Sequence, residues 1–123
     1  MKPETQNLQT ETFHEKLRRI MDDYVHLVYA ATKNFPRNEL YGTTSQLRRS
    51  ALSVMLNYVE GYARGRDKVH KNFLEISYGS LKESAYLLEF SYKEKYINKE
   101  FYEKTSALAN NIGAMLWGIL NKM

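Results

Sequence analysis

The chain has 123 residues, 18 basic and 14 acidic side chains, a net charge of +4 and no cysteine. That length suits one domain with a single core, and the missing cysteine excludes disulfides, thiolate metal sites and cysteine nucleophiles. A 43% hydrophobic content fits a folded domain, and no apolar run approaches the roughly 20 residues of a membrane span.

Residues 1–11 read as a flexible N-terminal tail and 12–123 as one domain. The tail is polar and lacks the apolar stretch of a secretory signal, so the expected location is the cytoplasm, with no membrane contact. The first helix is expected over 12–34, with Phe13, Leu17, Ile20, Tyr24, Leu27 and Ala31 as its stripe. Thr12 and Glu15 match a capping box, and Phe35-Pro36 ends the segment.

The second helix is expected over 43–64, opened by a Thr43/Gln46 capping box. Leu47, Ala51, Val54 and Tyr58 form one stripe; Leu52, Met55, Leu56, Val59 and Tyr62 fill most of the remaining circumference. So apolar a helix is either central or covered by a partner subunit.

The third helix is expected over 67–95, on Leu74, Tyr78, Leu81, Ala85, Leu88 and Tyr92. Gly79 lies inside it at a cost of about 1 kcal/mol, which close approach of a neighbouring helix would explain. The fourth is expected over 99–121, capped by Asn98, on Phe101, Thr105, Leu108, Ile112, Met115 and Ile119. The fold class is therefore all-α: an antiparallel up-down four-helix bundle.

The charge is uneven. Residues 33–72 hold eight basic and three acidic groups, including five of the seven arginines. Arg64, Arg66, Lys68 and Lys71 cluster about the turn between the second and third helices, with Arg37 and Arg49 as outlying members. Such a cluster suits phosphate, and it also suits a solvated helix end.

Arg49, Ser53, Asn57, Glu60 and Arg64 fall at spacings of 4-4-3-4 and form a polar strip along the second helix. It reads as a recognition strip or as a network fixing register or a subunit interface, the latter preferred for Asn57 and Glu60. Glu60 and Arg64 have the order that favours an ion pair. Arg48 points elsewhere, and a buried or interfacial pair with Glu83 is expected for it.

Catalytic signals are weak. Glu11-x-x-His14, Asp23-x-x-His26 and Asp67-x-x-His70 resemble half of a di-metal motif, but no carboxylates on the core stripes complete it. No phosphate-binding glycine loop or nucleophile elbow occurs. No enzyme activity, metal or cofactor is expected.

Three stretches carry a family resemblance. They are Phe35-Pro36-x-x-Glu39-x-Tyr41-Gly42-x-Thr44-Ser45-Gln46-Leu47-Arg48-Arg49, then Ser53-Val54-x-x-Asn57-x-x-Glu60-Gly61-x-x-Arg64, then Phe73-Leu74-x-Ile76-x-x-Gly79-Ser80-Leu81-x-Glu83. The chain resembles the bacterial four-helix-bundle proteins encoded in 23S rRNA intervening sequences, over about 35–120. These are similar in fold to the accessory variability proteins of diversity-generating retroelements.

The resemblance implies a ring-shaped homopentamer and nucleic-acid (RNA or DNA) association. It also implies a second reading, a protein–protein adaptor that serves a reverse transcriptase or another protein. It supplies no catalytic residues. Met55-Leu56 stand where the family commonly has Pro-Ser, which implies a straighter second helix with more apolar surface.

Overall fold

The computed structural model describes residues 10–123. Residues 1–9, most of the expected tail, lie outside the described residues. Four α-helices and no strands occur among the described residues: α1 (Phe13–Thr32), α2 (Thr43–Arg64), α3 (Asp67–Lys93) and α4 (Lys99–Asn121). A short 3-10 turn, Arg37–Glu39, precedes α2. No helix among the described residues is long and apolar enough to cross a membrane.

The helix starts follow local chemistry. Thr12 accepts from the Glu15 N–H, and the Glu15 carboxylate accepts from the Thr12 N–H in return, which is the expected box. Asn98 accepts from the Phe101 N–H at 2.8 Å and caps α4. The box expected at Thr43/Gln46 does not form. Thr43 is already helical, Gly42 takes the N-cap position, and the Glu39 carboxylate accepts the Thr43 N–H at 3.0 Å from outside the helix. Gly65 ends α2 with φ of 71°, a left-handed conformation that glycine adopts without steric cost.

The core is built from Leu17, Met21, Tyr24 and Val28 of α1, Leu47, Ala51, Val54 and Tyr58 of α2, Leu74, Leu81 and Leu88 of α3, and Ile112 and Leu116 of α4. The stripe expected on α2 is the one buried. On α1 the expected Leu17, Ile20, Tyr24 and Ala31 are buried as well, and the lines expected on α3 and α4 are kept in part. Phe13 on α1 is exposed, and on α4 the expected Thr105 and Ile112 are buried while Ala109 and Leu116 take the places expected of Leu108 and Met115.

The third helix shows the physical reason. Its buried line is Leu74, Ser77, Leu81, Ser84, Leu88 and Ser91, where Tyr78, Ala85 and Tyr92 were expected beside the leucines. Each buried serine has a partner. Ser77 donates to the Val54 carbonyl on α2 at 2.6 Å, and Ser84 meets the Tyr24 hydroxyl at 2.7 Å. Ser91 donates to the Leu87 carbonyl within its own helix at 2.7 Å. A satisfied hydroxyl can be buried cheaply, and a small side chain lets backbones approach.

Gly61 serves the same approach. A Cβ there would lie 3.1 Å from the Phe73 Cβ and from the His70 Cδ2 on α3. Gly79 does not: nothing lies within 4 Å of the Cβ it lacks, so no neighbouring helix accounts for it.

Candidate functional site

The start of α1, the end of α2, the start of α3 and the end of α4 come together. His14 Nδ1 on α1 meets the hydroxyls of Tyr58 and Tyr62 on α2, each at 2.9 Å. The Tyr62 ring lies edge-on to the His70 ring of α3 with centroids 4.2 Å apart. Desolvation pushes both tyrosine phenols above their ordinary value of 10.0.

Between these rings and α4 lies an open cavity of about 540 Å³. Phe13, His14, Tyr62, His70, Met115 and Gly118 are among the residues that line it. The His70 Nε2 is buried and has no hydrogen-bond partner among the described residues. A second depression of about 420 Å³ is lined by Asp67, Lys68, Lys71, Lys122 and Met123. The two share Lys122 and Met123 in their walls.

The expected basic cluster falls at this same place. Arg64, Arg66, Lys68 and Lys71 are all exposed, and Lys122 joins them from the far end of the sequence. Arg64 donates to Glu60 at 2.8 Å, and its guanidinium lies 5.6 Å from the Phe73 ring centroid. Arg37 is not part of the group. It lies in the turn before α2, a helix length of roughly 30 Å from Arg64.

The polar strip of α2 closes on itself and on α3. Ser53 Oγ meets Ser80 Oγ at 2.7 Å, and Asn57 Nδ2 donates to the Ser53 carbonyl at 2.9 Å and to its Oγ at 2.8 Å. Arg49 and Glu83 line a groove of about 350 Å³ with Gln46, Ser50, Ser53 and Ser80.

Arg48 does not pair with Glu83. Its Nε donates to the Thr32 hydroxyl at 2.7 Å, and its guanidinium lies 4.6 Å above the Tyr29 ring. One step along a helix is about 100°, so Arg48 faces α1 while Arg49 lines the groove with Glu83 of α3.

Two of the three histidines have ordinary neighbours. His14 is engaged by the tyrosines, and His26 lies 3.4 Å from Asp22 on the same helix. No group of three His, Asp or Glu side chains able to hold a metal occurs among the described residues.

Lys122, Phe13, His14 and His70 belong to this end of the molecule, and sequence reasoning did not assign them to a site. They are separated by more than a hundred positions at the extremes. No spacing rule connects them, and only the packing of four helices does.

Both the sequence and the fold have counterparts among known proteins. The 23S rRNA-intervening sequence protein family matches the chain over residues 16–118. A solved structure from Bacteroides thetaiotaomicron, a protein of unknown function from the S23 ribosomal protein family, has a TM-score of 0.76 to this chain. It is 24% identical, over 85% of this chain and 97% of its own. That likeness bears on the fold. No curated protein matches the chain. With most of its length matched, the chain belongs to the 23S rRNA-intervening sequence protein family.

Proposed function

We propose that this protein is a non-catalytic, self-associating helical bundle that binds RNA or DNA without sequence preference through a basic surface. The observation that carries this reading is the gathering of Arg64, Arg66, Lys68 and Lys71 with Lys122, all exposed, at one set of helix ends. Cations spaced along a surface release counterions from phosphates, which favours binding whatever the base sequence.

The bundle is read as antiparallel and up-down. His14 beside Tyr62, Arg48 beside Thr32 and Ser53 beside Ser80 support that order. Self-association is assigned to the outer side of α2 and α3. Leu56 is 60% exposed on α2 with exposed Val59 one turn further on, Ile76 is exposed on α3, and Gly79 of α3 has open space above it. Covering such a patch favours assembly. A homopentameric ring, in the cytoplasm, is the form proposed. Five copies multiply the net charge of +4 fivefold, so weak single contacts add by avidity.

Binding of labelled RNA and DNA at two salt concentrations tests the reading. Affinity falls steeply as salt rises, and falls again in the double variant Arg64→Ala, Arg66→Ala. No binding at low salt overturns it. A monomer by light scattering overturns the assembly.

The second reading is an adaptor that binds a protein, for example a reverse transcriptase, and no nucleic acid. Exposed Tyr86 and Trp117 favour it, since aromatic side chains are enriched at protein interfaces. Its binding would change little with salt.

A further inference from the structure

We propose that the cavity at the helix ends receives an unpaired nucleobase of a single strand whose phosphates lie along Lys68, Lys71 and Lys122. The inference rests on the nucleic-acid reading above and adds to it which form of nucleic acid is preferred and how it is held.

Three features of the cavity argue for a base. Its wall holds four rings, those of Phe13, His14, Tyr62 and His70. Aromatic faces and edges accept any base, so they add affinity without reading sequence. Its volume of about 540 Å³ lies within the range of small-ligand pockets. Met115, Ala114, Gly118 and Ile119 of α4 add apolar lining against which a flat ring can pack.

The fourth feature is polar. His14 and Tyr62 line the cavity and are exposed, with the Tyr62 hydroxyl 2.9 Å from His14 Nδ1. A hydroxyl donates once and accepts twice, so this polar edge can also pair with a ligand that brings a hydrogen-bonding edge. A nucleobase has such an edge, whereas an acyl chain has none.

Charge supplies the direction. The cavity shares Lys122 with the depression lined by Lys68 and Lys71, where Asp67 is the one acidic wall residue. An apolar cavity opening onto lysines matches a ligand with a flat apolar group beside an anion. In a duplex the base edges are paired and the faces stacked, so entry requires an unpaired base.

Gly118 makes the test clean. Nothing among the described residues lies within 4 Å of the Cβ it lacks, so a Cβ added there enters open space. The experiment uses the full chain and a short oligonucleotide carrying one fluorescent base analogue, single-stranded and in a duplex.

The protein binds the single strand more tightly, and binding changes the analogue's fluorescence. Gly118→Leu abolishes the fluorescence change and the single-strand preference, while low-salt duplex binding and helical content are retained. Phe13→Ala, at an exposed ring, weakens single-strand binding about tenfold. Unchanged fluorescence response and preference in a folded Gly118→Leu protein overturn base entry and leave the basic surface standing. Loss of all binding at low salt in the unmodified protein overturns both.

Discussion

His14 Nδ1 and the Tyr58 hydroxyl lie 2.9 Å apart, although 44 positions separate them in the chain. Tyr58 is otherwise buried in the core, with 2% of its surface exposed. The contact therefore ties the rim of the cavity to the packed interior. Tyr58→Phe keeps the ring and removes the hydroxyl. We expect a loss of about 1 kcal/mol, since His14 is exposed and water replaces the lost partner. Tyr58→Ala also empties the core and costs about 3–5 kcal/mol. Urea unfolding of both variants measures the difference; equal losses would contradict this division of roles.

Two glycines inside helices should respond to alanine with opposite signs. At Gly61 the new Cβ meets the Phe73 Cβ at 3.1 Å, a group held by its backbone. Overpacking of about 1–3 kcal/mol then outweighs a gain in helix propensity of about 1 kcal/mol, so Gly61→Ala destabilises. At Gly79 nothing is met, and Gly79→Ala stabilises by about 0.5–1 kcal/mol. Paired thermal melts decide the signs.

Glu39 contributes stability that depends on pH. The Thr43 backbone N–H, and then the Tyr96 hydroxyl, hold its carboxyl below the ordinary value of 4.5. The folded state thus favours the carboxylate more than the unfolded state does. The stabilisation is complete above pH 4.5 and is lost as pH falls through the lower folded value. Glu39→Gln has no such dependence. Melting temperatures of the two proteins should differ at neutral pH and converge in acid; a constant gap would refute the linkage.

Leu56 separates assembly from folding. It is 60% exposed, so Leu56→Glu changes the stability of a single chain by no more than about 0.5 kcal/mol. A charge on the proposed contact surface is expected to dissociate the proposed oligomer. Light scattering reads the assembly and circular dichroism the helix content. An intact assembly in the variant would remove this face from the interface.

The helices themselves were legible in the residues. Three of the four starts follow from local features: the Thr12 box, the Asn98 cap and the stop at Gly65 before α3. α2 runs unbroken through Met55-Leu56, as the absence of proline there implies. The start of α2 was misread because its cap comes from Glu39, a side chain outside the helix.

Buried faces were harder to read than helices. Counting apolar residues placed Tyr78, Ala85 and Tyr92 inside, whereas Ser77, Ser84 and Ser91 are the buried ones. A signal was present, since those serines repeat every seven residues. Its meaning depended on partners such as the Tyr24 hydroxyl and the Val54 carbonyl, which lie on other helices.

Four helices, their approximate limits, the absence of thiol chemistry and a basic middle third were legible in the residue order. The helices and their limits follow from contacts a few residues apart, where capping and the 3.6-residue period act. Tertiary structure decided that Arg48 faces Thr32 and Tyr29, not Glu83, and that Arg37 stands apart from Arg64. It also decided that Lys122 joins Lys68 and Lys71, and that His14, Tyr62 and His70 share one cavity. Those relations depend on how each helix is rotated about its axis. That rotation is set by the volumes and hydrogen bonds of whole facing surfaces, which no local window contains.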